Sequence, residues 1–340
     1  MCSMTSQARL TLPPALPMLC DARGHLDPGA IGWSSRPLLD CALPGQRGRR
    51  KRWNHWCLIS PGWMLSLTIA DLDYLGYGAL YFLDLNTGKA YSRTQISPLG
   101  LCCELPDHPN QSHAFRHERL NLGFDDQGAR LRIHADAGDL GGLPLSLALD
   151  VQRPAHLDSV NLVVPMGGNH FHACSRQMGL PFTGALQLGE ETYQAQAGQS
   201  FAALDFGRGV WPFRSFWTRA AFAAPGGIAG NFGSGWTDRS EHKENALWFG
   251  GELQRLRGEV DIRQAPNDPL APWRLSTADQ RVDLAFTPLK LHEASPRLGL
   301  LYAHTSQWFG HYDGFLRSAA GEQVPVKRAL GWIGATHARW

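Results

Sequence analysis

The chain has 340 residues, 43% of them hydrophobic and 18% charged, and a formal net charge of +2. That balance excludes general disorder, and so small a charge exerts no bulk pull on nucleic acid. Of the 32 Lys and Arg residues 27 are Arg, which a codon bias explains more simply than Arg-specific recognition.

Residues 1–50 are rich in Pro, Gly and Arg without a sustained period, and are expected to form an irregular N-terminal segment. From Trp53 onward short β-branched and aromatic runs recur, each closed by a turn signal. The predicted strands of the first half are Cys57–Ser60, Trp63–Asp71, Leu75–Leu85, Leu120–Phe124, Leu131–Ala135, Leu145–Val151, Val160–Val164, Phe182–Leu188 and Thr192–Ala197. Asn86-Thr87-Gly88 has a tight-turn composition. After Gly207 the rhythm restarts, with Arg214–Phe222, Ile228–Gly233, Ala246–Phe249, Leu253–Ile262, Trp273–Leu275, Arg281–Phe286, Leu298–Thr305, Gly310–Arg317 and Ala329–Thr336. No segment carries a 3.6-residue apolar stripe of helical length. Many short strands at near-regular spacing predict an all-β protein of two antiparallel β-barrels in tandem. The expected domains are 51–203 and 204–340.

The seven cysteines are irregularly spaced and contain no CxxC pair. They predict neither a disulfide framework nor a zinc cage, and suit a reducing compartment. No charged N-terminal region leads into an apolar run, so no signal peptide is expected. No stretch of about 18 apolar residues exists, so no membrane span is expected. A cytoplasmic location is the default expectation.

Three stretches could carry chemistry. The first runs from Leu204 to Trp217 and packs Asp205, Arg208, Arg214, Trp211 and Trp217 around Gly207, Gly209 and Pro212. It reads either as a polar plug cementing two barrels or as a ligand or catalytic site, since a buried ion pair needs full hydrogen bonding wherever it sits. The second holds Asn231 in a Gly-rich turn, then Glu244 and Asn245 at the start of a strand. It reads as hairpin capping, or as a carboxylate and amide that bind a hydroxyl or position a water. The third is Lys51-Arg52-Trp53-Asn54-His55-Trp56, followed by Asp71-Leu72-Asp73-Tyr74. On a strand Lys51, Trp53 and His55 share a face, and a Lys among aromatics could bind an acidic group. His170 and His172 could share a strand face as metal ligands do, with His156 and Cys174 nearest in sequence. No spacing motif ties them together, so ordinary histidines and no metal are expected. No P-loop, GxSxG, HExxH or deaminase signature is present.

At these residues the sequence resembles the DUF2804 family, a domain of unknown function. The resemblance runs from about Lys51 to Trp332. It rests on Lys51-Arg52-Trp53, Ala70-Asp71-Leu72-Asp73-Tyr74, the Asp205-x-Gly207-Arg208-Gly209-x-Trp211-Pro212 signature with Arg214 and Trp217, Gly230-Asn231-Phe232-Gly233, Glu244-Asn245 and Val282–Pro288. Of these the Asp-x-Gly-Arg-Gly-x-Trp-Pro signature is the specific one. The family is similar to the calycin group, which includes lipocalins and two-barrel proteins similar to carotenoid 1,2-hydratases and AttH. The resemblance therefore implies two lipocalin-like barrels and a large apolar ligand, but no reaction, because one fold hosts many functions.

The resulting expectation is hydrophobic small-molecule binding, of lipid, fatty-acid or isoprenoid type, with acid-assisted hydration or isomerisation of a C=C bond as its catalytic form. Asp205 or Glu244 would give the proton. Lys51, Trp53, Asp73, Tyr74, Arg208, Trp211, Arg214, Trp217, Asn231 and Asn245 would contact ligand, with Arg208 and Arg214 suited to an acidic head group. No cofactor and no nucleic-acid partner are expected. The alternatives are a non-catalytic lipid carrier, or a structural protein whose Asp–Arg–Trp cluster only holds the barrels together.

Overall fold

Alternation of buried and exposed side chains builds two antiparallel sheets in the computed structural model, which describes residues 16–154, 158–238, 240–266, 268–295, 297–298 and 301–339. The first sheet comprises β1 (Gly32–Ser34), β2 (Arg50–Ser60), β3 (Trp63–Asp71), β4 (Leu75–Asp84), β5 (Ala90–Pro98), β6 (Cys103–Glu104), β7 (His113–His117), β8 (Leu120–Asp126), β9 (Arg130–Ala137), β10 (Leu145–Gln152), β11 (Val160–Pro165), β12 (Phe171–Leu188), β13 (Glu191–Gln194) and β14 (Phe201–Val210). Its order is β5-β4-β3-β2-β14-β12-β10-β9-β8-β7-β6. The last of these packs back on β3, where the Cys103 thiol donates to the Ala70 carbonyl at 3.3 Å, so the sheet is a nearly closed barrel.

The second sheet comprises β15 (Arg214–Ala224), β16 (Ile228–Ser234), β17 (Ala246–Phe249), β18 (Glu252–Arg255), β19 (Asp261–Gln264), β20 (Trp273–Ser276), β21 (Val282–Ala294), β22 (Arg297–Leu298), β23 (Leu301–Arg317) and β24 (Gln323–Arg339). It follows the order β18-β17-β16-β15-β24-β23-β21-β20-β19 and forms a half-barrel. The fold is thus all-β, two lipocalin-like barrels in tandem. Among the described residues no helix is long and apolar enough to cross a membrane.

Three cores follow from strand parity. One fills the first barrel, with Trp56, Phe124, Ile133, Leu204 and Phe206. One fills the second, with Phe222, Leu284, Phe286 and Ile333. The third lies between the sheets and draws Ile59, Met64 and Ala203 from one, and Ala221, Phe309 and Trp332 from the other. Neighbouring side chains of a strand point to opposite faces. β14 therefore gives Leu204, Phe206 and Val210 to the first barrel, and Ala203 and Asp205 to the junction.

The structure departs from the sequence expectations at identifiable places. β14 pairs with β2 and β12 over its length, so Leu204–Val210 belongs to the first sheet and the chain enters the second only at Arg214. Neither β14 nor the first half of β12 was expected as strand. Both are buried on two faces, with polar side chains such as Arg208, His172 and Arg176 buried among the apolar ones, which erases the period-2 signal. The expected strand Leu253–Ile262 is interrupted between β18 and β19. The N-terminal segment is not wholly irregular: β1 pairs with β11, and Leu19, Cys20, Cys41 and Leu43 plug the first barrel. The expected turn at Asn86–Gly88 is present, with Gly88 at φ 70° and the Asn86 N–H donating to Asp84 Oδ1 at 2.8 Å.

Candidate functional site

Where the sheets face each other they line a partly open cavity of ≈ 210 Å³. One wall comes from the outer face of the first barrel. Alternate residues project into it: Trp53 and His55 on β2, Ser66 and Thr68 on β3, Tyr77 and Tyr81 on β4, His172 and Arg176 on β12, and Asp205 on β14. The other wall comes from the second sheet, with Trp217 and Arg219 on β15, His292 on β21, Thr305 and Gln307 on β23, and Trp332 and Thr336 on β24. Trp211 and Trp236 also line it.

At the floor stands a charged cluster that bridges the sheets. Asp205 accepts from Arg176 and Arg219, and from the Trp53 indole N–H at 3.0 Å. Arg176 Nε also donates to Glu244 Oε2 at 2.9 Å, and Glu244 Oε1 accepts from Trp236 Nε1 at 2.8 Å. Arg219 Nε donates to Asn231 Oδ1 at 3.0 Å, and Asn231 Nδ2 donates to the Glu244 carbonyl at 2.9 Å. Two guanidiniums thus meet two carboxylates, so the cluster carries no net charge. Its members are deeply buried except Asp205, whose side chain is 15% exposed against 3% for Arg176 and 1% for Glu244. Asp205 is the carboxylate that reaches the cavity, while Glu244 stands behind Arg176.

Glycines make this packing feasible. An ideal Cβ at residue 207 would stand under 3.0 Å from the Trp53 ring, and one at residue 233 under 3.0 Å from the Glu244 carboxylate. The signature's first glycine therefore lets an indole lie flat across β14 and reach Asp205.

An aromatic cluster surrounds the floor. Trp53 stacks on His172 at 5.0 Å between centroids, and Trp211 meets His172 edge-on at 4.7 Å while its Nε1 donates to His172 Nδ1 at 3.1 Å. Burial first, and then the nearby Arg176, push His172 well below the usual imidazole range. His55 is pushed down to about 3 by burial, then by Arg219 and Arg176. Its Nδ1 lies 2.8 Å from Thr68 Oγ1. Across the junction the His292 ring stacks on Tyr81 at 4.1 Å, and burial raises Tyr81 to about 12.

The sequence-derived candidates separate into three groups. Asp205, Trp53, Trp211 and Trp217 line the cavity. Glu244, Asn231 and Asn245 lie just behind it; Asn245 Oδ1 accepts from the Gly233 N–H at 2.7 Å. The rest lie elsewhere. Arg208 points into the first barrel, fully buried, and donates to the carbonyls of Pro106, Trp53 and Gly207 and to Asn54 Oδ1. Arg214 is exposed at the start of β15. Lys51 shares the face of Trp53 and His55 but stops short of the cavity. Its Nζ lies 3.3 Å from the Leu72 carbonyl and 4.9 Å from the Tyr74 ring centre, and burial lowers it to about 8. Asp73 pairs with Arg50 in the turn before β4, at φ 79°.

His170 precedes β12 rather than sharing a strand face with His172, and His156 lies outside the described residues. Among the described residues no group of three His, Cys, Asp or Glu side chains is placed to hold a metal. Arg176, Arg219 and Trp236 escaped the sequence reading. A signal existed for Arg219, a lone guanidinium entering the apolar run Ala220–Phe222, because such a charge must find a partner.

The sequence matches the DUF2804 family, described as a domain of unknown function, over residues 8–340. No curated protein matches it. Among solved structures the chain is similar to kievitone hydratase from Nectria haematococca, with 13% identity, a TM-score of 0.53, and 96% of this chain and 98% of that one covered. It is also similar to a protein assigned as AttH from Nitrosomonas europaea, with 13% identity, a TM-score of 0.51, and coverage of 84% and 92%. At such identity the likeness establishes a shared fold.

Proposed function

The chain belongs to the DUF2804 family, and from its two-barrel fold and the cavity at the junction we propose that it binds a neutral, hydrophobic small molecule there and hydrates or isomerises a C=C bond. The observation that carries this reading is an aromatic-lined cleft with a partly exposed carboxylate, Asp205, at its floor. Ligand sites are mostly apolar with a few fixed polar groups, and Asp205 among Trp53, Trp211 and Trp217 has that form. The charge balance of the floor favours a ligand hydroxyl that donates to Asp205 over a fatty acid. The two arginines suited to a carboxylate head group, Arg208 and Arg214, stand outside the cavity.

The name of kievitone hydratase supplies the reaction class. Hydration places a proton on one carbon and a hydroxyl on the other, with water as the sole co-reactant. Both Asp205 oxygens already accept hydrogen bonds, so Asp205 acts on the positive charge that develops after protonation, together with the indole faces. His55, kept neutral by burial and held by Thr68, is placed to take a proton from the attacking water, and the proton added to the other carbon is returned from water in the cavity, so that one H2O is added in all. Glu244 orients Arg176 and Trp236 and touches no ligand.

Native mass spectrometry of the purified chain, followed by organic extraction, tests the binding step. A stoichiometric neutral apolar molecule supports it, and incubation of that molecule or its unsaturated analogue should yield a product heavier by one water, or an isomer. A tightly held fatty acid overturns the neutral-ligand reading. An empty protein whose tryptophan fluorescence is unmoved by apolar probes overturns the site.

A further inference from the structure

A second cavity, of ≈ 220 Å³, lies beneath the N-terminal segment, between residues 29–41 and the inner face of β11 and β12. It shares no lining residue with the junction cavity. Its wall is apolar, with Leu39, Val163, Ala173 and Phe206. Ser34 and Arg36, the latter paired with Asp158, interrupt it on the segment side, and two cross-strand neighbours, Asn161 and Ser175, on the barrel side. The Asn161 amide is oriented by its own bonds, since Nδ2 donates to the Ser34 carbonyl and to Ser159 Oγ at 2.9 Å. That leaves Asn161 Oδ1 as a buried acceptor without a partner, and Ser175 Oγ, on a residue 2% exposed, is likewise unpartnered. Buried polar atoms are rarely left so. At the mouth Ile31 and Leu38 are 38% and 56% exposed, an apolar rim on the solvent side.

We propose that this cavity is a second small-molecule site, selective for a compact ring compound bearing a hydroxyl. Its hydroxyl accepts from Ser175 and donates to Asn161, and its ring fills the space against Ala173 and Phe206. A cavity of about 150 Å³ already admits benzene, so one substituted ring fits. The tie of Cys41 N–H to the Asp107 carbonyl at 2.8 Å, and of His108 Nε2 to the Pro37 carbonyl at 3.2 Å, holds the covering segment over the site.

Fluorine NMR titration of fluorobenzyl alcohol and fluorotoluene against the full chain tests this. The alcohol should bind saturably. Ser175→Ala should weaken the alcohol about tenfold, as loss of one buried hydrogen bond does, and leave fluorotoluene unchanged. Ala173→Phe should abolish both; should that variant fail to fold, Ser175→Ala carries the test alone. Gly334→Leu, which fills the junction cavity where a Cβ meets the Arg219 carbonyl at 4.0 Å without crowding, should leave binding intact, so the two sites are judged separately. No binding to the parent chain would mean that Asn161 and Ser175 are served by water, and would overturn the proposal. So would loss of binding in Gly334→Leu, or equal affinity for the alcohol in Ser175→Ala.

Discussion

The Trp53 indole occupies the volume that a side chain at position 207 would need, and from there donates to Asp205 at 3.0 Å. Gly207 and Trp53 are direct partners across β14 and β2. Gly207→Ala should therefore expel the ring, break its bond to Asp205 and unstack it from His172. Overpacking of this kind costs about 1–3 kcal/mol. Urea unfolding should show that loss, with altered tryptophan emission and weakened binding of apolar probes at the junction. An alanine variant with native emission and stability would contradict the assigned packing.

Glu244 holds Arg176 and the Trp236 indole at once, and both it and Arg176 are sealed from solvent. Removing one member of such a buried pair leaves an uncompensated charge, at a cost of about 3–5 kcal/mol. Glu244→Ala should lose that much in denaturant titration, and Glu244→Gln less, because the amide oxygen still accepts from Trp236. Similar losses for the two would show that the charge matters more than the hydrogen bonds.

Acid should destabilise the fold before its carboxylates titrate. His55 and His113 are both pushed from the ordinary 6.5 down to about 3, chiefly by burial. His113 is fixed as a neutral ring, accepting from Trp56 Nε1 at 3.2 Å while its Nδ1 faces the Gln111 carbonyl at 3.0 Å. The unfolded chain takes up these protons below its own pKa and the folded chain does not. Their contribution is complete above pH 6.5 and is lost as pH falls toward 3. Each histidine adds a slope of about 1.4 kcal/mol per pH unit in that window. Stability measured at several pH values should show it, and His113→Gln should flatten it by about one proton.

Arg208 belongs to the signature yet faces away from the junction. Arg208→Met should leave the acceptors at Pro106, Trp53, Gly207 and Asn54 without their donor and cost about 3 kcal/mol or more. Below its unfolding midpoint the variant should bind junction ligands with parental affinity. A selective loss of affinity without a loss of stability would return Arg208 to the binding site.

Much of the fold was legible because half-buried strands announce themselves. In β9 Leu131, Ile133 and Ala135 turn inward and Arg132, His134 and Asp136 outward, which is the alternation of a sheet with one wet face. β14 and the first half of β12 were illegible for the opposite reason: both faces are buried, so no period survives. The candidate site was legible where its members are close in sequence, as Asp205, Trp211 and Trp217 are. Arg176 and Arg219 lie on different sheets, and their shared carboxylate is a fact of packing.

The sequence by itself determined the all-β character, the Asn86–Gly88 turn and a glycine-spaced motif with a carboxylate and indoles. Only the tertiary structure decided which of those residues act together. Parity places Asp205 and Arg208 on opposite faces of one strand, and a sequence carries that parity. Which face looks into a barrel and which onto a second sheet depends on how distant strands close and stack. That choice put Asp205 at the floor of a cavity and Arg208 inside a core, because hydrophobic burial of whole sheet faces outweighs any single polar contact.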